Sequence, residues 1–237
     1  MATLNDVRVL LQAGGRGERL RPDTDTVPKP LLPVGGVPMV ERLFRQLLLA
    51  GAADFTVVTG WLGERVVEHL SALRDVPEGL TLRFVTESSP LGNAGALRLL
   101  ERGPGPALLI FGDLVTDLDF GALYDLHRAR GSAVTLTSHW EGMRLRLGEL
   151  TVEGDRVTDY QEKPEKRYLI CSGVALFEQP ALDCIPDQGM VGLVDAVRAA
   201  IHAGLPVGHW THGAAWMDVN SHEALREANE RFGASGR

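Results

Sequence analysis

The sequence predicts an α/β fold: a mixed, mostly parallel sheet covered by helices on both faces, with a small antiparallel insertion. Three observations predict it. Residues 7–11 and 107–111 are short, nearly continuous apolar runs, the pattern of strands buried under helices on both sides. Stretches of about ten to fourteen residues with apolar side chains at helical spacing alternate with such runs through the first half of the chain. Beyond Trp140 that rhythm gives way to three strand-like stretches in succession.

In order, residues 7–11 form the first strand. Residues 38–50 set Met39, Val40, Leu43, Phe44 and Leu47 at helical spacing and stop at Gly51. A strand at 55–59 precedes a helix at 62–73, carried by Val66, Val67, Leu70 and Leu73, and a strand at 80–86. Residues 93–101 predict a further helix, closed by Gly103-Pro104-Gly105. The strand at 107–111 is followed by a helix at 119–130, which Gly131 ends, and a strand at 133–138. Residues 147–152, 156–160 and 169–177 are the successive strands, the first two joined by a tight turn at Glu153-Gly154-Asp155. A helix at 192–203, a strand at 206–210 and a helix at 221–232 complete the pattern, with 233–237 as a frayed tail.

The 237 residues suit one domain, with about 140–180 as its insertion. A net charge of −7 argues against a nucleic-acid surface, which needs a basic face. No apolar run reaches the roughly 18 residues of a membrane span, and residues 1–6 lack the basic start of a signal peptide. The expectation is a cytoplasmic protein, monomer or homodimer, without membrane or nucleic-acid partners. Cys171 and Cys184 have no metal-ligand spacing; two reduced, buried thiols are expected, although spacing alone leaves a disulfide open. The seven histidines likewise show no ligand spacing.

The most informative stretch is Gln12 to Leu32, QAGGRGERLRPDTDTVPKPLL, directly after the first strand. Open α/β sheets place ligands at this carboxyl edge. Gly14, Gly15 and Gly17 bare the backbone, so that its N–H groups can approach an anion. Arg16, Arg19, Arg21 and Lys29 add cationic donors, and arginine grips phosphate oxygens bidentately. Neither common phosphate signature fits: there is no G-x-x-x-x-G-K-[ST], and Leu20 stands where a dinucleotide fingerprint needs its third glycine.

Gly14 to Thr24, followed by Pro28-Lys29-Pro30-Leu31, resembles the G-G-x-G-x-R-L-x-P-x-T-x-x-x-P-K-P signature of the sugar-1-phosphate nucleotidyltransferases, or nucleotide-sugar pyrophosphorylases. The resemblance runs from residue 7 to about 229. It implies a Rossmann-like nucleotidyltransferase fold of the GT-A kind, without the C-terminal β-helix of longer relatives. It places Gln12, Ala13, Gly14, Gly15 and Gly17 on a nucleoside triphosphate, with Arg19 and Lys29 on its phosphates. Gln12 stands where the family usually has leucine; since base contacts there come largely from backbone, little functional change is expected.

Asp113, in Phe111-Gly112-Asp113, closes the apolar strand at 107–111. A carboxylate there, beside a triphosphate, suits Mg²⁺, which takes one or two carboxylates with phosphate oxygens and water. The family's W-x-D-I-G segment matches Trp216-Met217-Asp218-Val219-Asn220, which implies Asp218 as a second metal ligand despite the change at Val219-Asn220. Only the resemblance brings Asp113 and Asp218 together. Asp117 and Asp119 form a D-x-D triplet like that of metal-dependent glycosyltransferases, but Asp119 reads more simply as a helix N-cap.

Residues 86–97 resemble the family's base-reading segment, with Glu87 and Gly92 on the nucleotide. An ionised carboxylate only accepts hydrogen bonds. Guanine offers it two adjacent donors and uracil one, which favours GTP with UTP next. By resemblance, in the family's E-K-P motif Lys163 binds the sugar phosphate with Lys29 and Glu162 accepts from sugar hydroxyls, while backbone groups of Ser172 and Gly173 meet the sugar. His212, beside Gly213 and near Trp216, is expected to face the sugar. The catalytic set implied is Arg19, Lys29, Asp113 and Lys163. The alternatives are a glycosyltransferase built on Asp117 and Asp119, or a silent nucleotide-sugar-binding subunit.

Overall fold

The computed structural model describes residues 3–87 and 89–233. Strand β1 (Arg8–Ala13) leads through 3₁₀ turns at Glu18–Leu20, Asp23–Asp25 and Lys29–Leu31 to the short strands β2 (Pro33–Val34) and β3 (Val37–Pro38). There follow α1 (Met39–Leu49), β4 (Asp54–Thr59), α2 (Gly63–Ser71), β5 (Thr81–Thr86), β6 (Ala107–Phe111), β7 (Leu114–Thr116) and α3 (Phe120–Arg130). The second half holds β8 (Val134–Arg144), β9 (Glu149–Glu153), β10 (Arg156–Gln161), β11 (Glu165–Phe177), α4 (Gln179–Leu182), α5 (Leu193–His202), β12 (Val207–Thr211), β13 (Trp216–Asp218) and α6 (His222–Phe232).

Seven strands form one sheet in the order β12-β8-β11-β6-β1-β4-β5. The pairs β6-β1, β1-β4, β4-β5 and β8-β12 are parallel, and β11 alone runs against its neighbours β6 and β8. Alternation along β1 divides the core. Val9, Leu11 and Ala13 join the cluster that holds Leu43, Phe44 and Leu47 of α1, Val66 of α2 and Leu123 of α3. Leu10 points to the other face, into the cluster with Ala181 of α4 and Ala196 and Ala200 of α5. Helices on both faces hide β1, which is why its sequence is apolar on both sides. Phe44 of α1 meets Phe55 of β4 with ring centroids 4.7 Å apart, an aromatic pair worth about 0.5–1.5 kcal/mol beyond its burial.

A third apolar cluster joins Leu20, Leu32 and Val34 from the N-terminal loop to Val115 of β7, Met217 of β13, Val219 and Phe232 of α6. The loop therefore rests on a core of its own.

Departures from the expected elements have local causes. Residues 93–101 hold a 3₁₀ segment at Gly95–Leu99 in place of a helix. The N–H groups of Ala94 and Gly95 both donate to Val191 O at 3.0 Å, a tertiary tie that replaces the helical pattern. Strands β8 and β11 continue past the rest of the sheet as a two-stranded ribbon, pairing Trp140 with Leu169 and Arg144 with Glu165. The hairpin β9-β10 forms a separate two-stranded sheet, with Gly154 at φ +58° in its turn. Cys171 and Cys184 are free, but Cys171 is exposed and Cys184 only half-buried. Along β11 the buried position falls on Ser172, so alternation turns Cys171 outward. Of the expected tail, residues 234–237 lie outside the described residues.

Candidate active site

Four segments at the carboxyl ends of β1, β4, β5 and β6 meet around a cavity of about 700 Å³. Its lining includes Gln12 at the end of β1 with Gly14, Gly15 and Arg16 after it, Gly60 and Trp61 after β4, Glu87, Pro90, Gly92 and Asn93 after β5, and Phe111 at the end of β6 with Asp113 after it. The first two loops touch through their backbones. Trp61 N–H donates to Gly14 O at 3.3 Å, and a Cβ on Gly60 would stand 2.5 Å from that same oxygen. Glycine is required there by space. Ala13 is buried in the first apolar cluster, and Ser88 of the stretch expected to read the base lies outside the described residues.

The rest of the loop turns back on itself. Gly17 adopts φ +63°, and a Cβ on it would press within 2.9 Å of Thr24 Cγ2 and 3.0 Å of Lys29 Cβ. Thr24 Oγ1 donates to Gly17 O at 2.9 Å, closing the turn. Arg19 is exposed, and with Arg16, Gly17 and Lys29 it borders a second hollow of about 370 Å³ beside Asn220.

Lys29 is the centre of the arrangement. Its side chain is largely buried, and its Nζ lies 2.5 Å from Asp113 Oδ2 and 3.8 Å from Asp218 Oδ1. Antiparallel pairing of β13 with β7, which sets Asp218 opposite Leu114, brings the two aspartates together. Val219 N–H donates to Asp113 O at 3.2 Å and fixes the approach. The convergence that spacing could not supply is thus made by a pair of three-residue strands.

A family model described as Nucleotidyl transferase matches residues 8–235. The chain belongs to the nucleotidyl transferase family. N-acetylmuramate alpha-1-phosphate uridylyltransferase of Neisseria meningitidis is 31% identical over 241 residues, covering 96% of this chain and 99% of that protein. Mannose-1-phosphate guanyltransferase of Kluyveromyces lactis is 36% identical over 133 residues, covering 54% of this chain and 37% of that protein. The chain therefore spans little more than a third of that relative's length. A solved Bacillus anthracis structure, provisionally named a glucose-1-phosphate thymidylyltransferase and holding sucrose, superposes with a TM-score of 0.75 at 22% identity, covering 95% of this chain and 94% of that one. At that identity the likeness shows the fold alone. No helix among the described residues is long and apolar enough to cross a membrane.

Within this family member the remaining expected site residues are distributed unevenly. Glu87 sits in the cavity, and its Oε1 accepts from Leu91 N–H at 3.3 Å. Glu162 and Lys163 lie between β10 and β11, exposed at the outer end of the ribbon and 3.8 Å from one another. Among the described residues no hydrogen bond or ion pair joins them to Lys29, Asp113 or Asp218. Gly173 has φ +76° in the irregular step between Cys171 and Ala175, and a Cβ on it would stand 3.2 Å from the ring of Phe111, a cavity residue. Ser172 is buried, and its hydroxyl lies 2.9 Å from His139 Nδ1 and 2.8 Å from His212 Nε2, while its carbonyl accepts from Trp216 Nε1 at 2.7 Å. Burial, with His139 alongside, holds His212 below the usual histidine value. Asp119 caps α3 by accepting from Ala122 N–H at 2.9 Å, and Asp117 faces a separate hollow beside Arg42 and Arg231.

Sequence patterns alone missed His139 and Trp61. Trp61 carries the Arg16 guanidinium 5.3 Å from its ring centroid and donates to Thr24 O at 3.1 Å. Its place just past the apolar strand, at the carboxyl edge, was the available signal.

Proposed function

We propose that this protein transfers a nucleoside monophosphate from a nucleoside triphosphate, GTP ahead of UTP, to a sugar-1-phosphate and releases pyrophosphate. The observation that carries this is Lys29 held between Asp113 and Asp218 at the edge of a glycine-walled cavity. Such a cluster suits the meeting of two anions. The attacking phosphate oxygen is already charged, so the reaction needs no general base. Positioning and charge neutralisation suffice.

Gln12, Ala13, Gly14, Gly15 and Gly17 would surround the nucleotide, with Glu87 and Gly92 at its base. Arg19 and Lys29 would neutralise the departing pyrophosphate. Lys163 would receive the incoming phosphate together with Lys29, and Glu162 and the Ser172-Gly173 backbone would meet the sugar. Asp113 and Asp218 fit Mg²⁺, since two carboxylates are the protein share that this ion takes beside phosphate oxygens and water. When bound there, it would offset charge between the two phosphates.

The carboxylate of Glu87 supports GTP, whose N1–H and N2–H match both oxygens. Engagement of Asp119 in a helix cap speaks against the glycosyltransferase alternative. The test is pyrophosphate release from GTP, UTP, dTTP, ATP and CTP, each paired with mannose, glucose, heptose or N-acetylmuramate 1-phosphate. GTP or UTP should lead. Preference for ATP or CTP overturns the base assignment, and release from no pair overturns the reaction.

A further inference from the structure

Gln12 carries a polar group without a partner among the described residues. Its Nε2 is sealed from water and makes no hydrogen bond to any of them. Leaving a buried amide donor unpaired costs about 1–3 kcal/mol, and a leucine in its place would avoid that. The same side chain lines the 700 Å³ cavity. Gln12 shares the face of β1 that carries Leu10, and its neighbours across the sheet are Val58 of β4 and Phe111 of β6. Those surroundings are apolar, unlike the arginine and lysine side of the loop, and fit a planar base better than a phosphate.

We propose that the Gln12 side-chain amide reads the nucleotide base, donating to its exocyclic keto oxygen. This rests on the cavity being the nucleotide site. With Glu87 accepting from the ring N–H, one donor and one acceptor then face the base edge. Guanine and uracil present a keto oxygen beside a ring N–H; adenine and cytosine present an amino group and an unprotonated nitrogen. The pair selects the first two. Gln12 is thus a specificity residue acting through its side chain, where contacts were expected to come largely from the backbone.

The test compares wild type with Gln12→Leu by calorimetric titration of GTP, UTP, 6-thio-GTP and 4-thio-UTP, together with thermal unfolding of the free protein. Sulfur accepts hydrogen bonds poorly but leaves the ring N–H in place. Wild type should bind the keto nucleotide about tenfold more tightly than its thio analogue, the scale of one hydrogen bond formed by a buried donor. Gln12→Leu should lose about that factor for the keto nucleotide, erase the thio discrimination, and unfold at a higher temperature because the orphaned donor is gone. A merely structural glutamine would instead give a lower unfolding temperature and unchanged discrimination. Unaltered GTP and UTP affinity in Gln12→Leu overturns the inference while leaving the reaction intact. Failure of wild type to bind any nucleotide overturns the cavity assignment, and this inference with it.

Discussion

Replacing Lys29 by methionine isolates the electrostatic role of the central cation. Methionine retains the stem against which Gly17 packs and removes only the charge. In the free protein the ammonium lies 2.5 Å from Asp113 and 3.8 Å from Asp218, so a divalent ion must compete with it for both carboxylates. At the dielectric of water those separations correspond to about 1.7 and 1.1 kcal/mol of attraction. Releasing both carboxylates should therefore tighten divalent binding by about tenfold if the lysine can swing aside, and by up to about a hundredfold if it cannot. Turnover should move the other way, falling on the order of a hundredfold or more, because in the proposed reaction the same charge would stabilise the leaving pyrophosphate. Titration calorimetry of Mn²⁺ into nucleotide-free wild type and Lys29→Met reads the first effect, with Asp113→Asn as the variant that should lose binding. Mn²⁺ held no more tightly by Lys29→Met would refute the competition.

Glu87→Gln offers the base one acceptor and one donor in place of two acceptors, so the GTP-to-UTP ratio of kcat/KM should fall at least about tenfold; an unchanged ratio removes Glu87 from base selection. Gly60→Ala drives a methyl to 2.5 Å from Gly14 O, a backbone atom that cannot swing away. Nucleotide affinity should drop several-fold while far-ultraviolet circular dichroism stays native, and unimpaired affinity would show that the two loops do not shape the site together. His127 is fully buried between Thr135 and Glu178, and burial lowers its pKa from 6.5. Because the unfolded chain then binds more protons, this contribution to stability is complete above about pH 6.5 and is lost as pH falls below it, by at most about 1.4 kcal/mol per pH unit for one group. Urea unfolding from pH 7.5 to 5 should show that slope, and it should be shallower in His127→Gln; equal slopes would assign the pH dependence elsewhere.

What the sequence could reveal depended on whether a residue's role is local. The alternation of Val9, Leu10 and Leu11, the helical spacing of Met39 to Leu47, and the cap at Asp119 are set by neighbours within a few residues, and all are found in place. The glycine spacing of the loop is local in the same sense, since Gly17 is required by contacts with Thr24 and Lys29. The meeting of Asp113 with Asp218 is not. It depends on β7 and β13, each only three residues long, whose pairing carries no periodic signal of its own. The same limit hid the contact of His139 with Ser172, and the place of Lys163 at the outer end of the ribbon. Each follows from how β8 and β11 run on together, which is a property of register.

The third apolar cluster explains how a loop without helical or strand periodicity can carry a precise charge arrangement. Leu20 and Leu32 flank Lys29 in sequence, while Met217 and Val219 flank Asp218, and all four are buried in that cluster. The segments that carry the cation and the more distant carboxylate are therefore anchored in one small core. Asp113 precedes Leu114 and Val115 of β7, and Val115 lies in the same cluster. Shifting the backbone under any one of the three charged groups would require repacking residues that hold the other two, and close-packed cores resist such shifts. The charge cluster is accordingly preorganised before any ligand arrives, the condition under which fixed charges lower a barrier without having to reorient during the reaction.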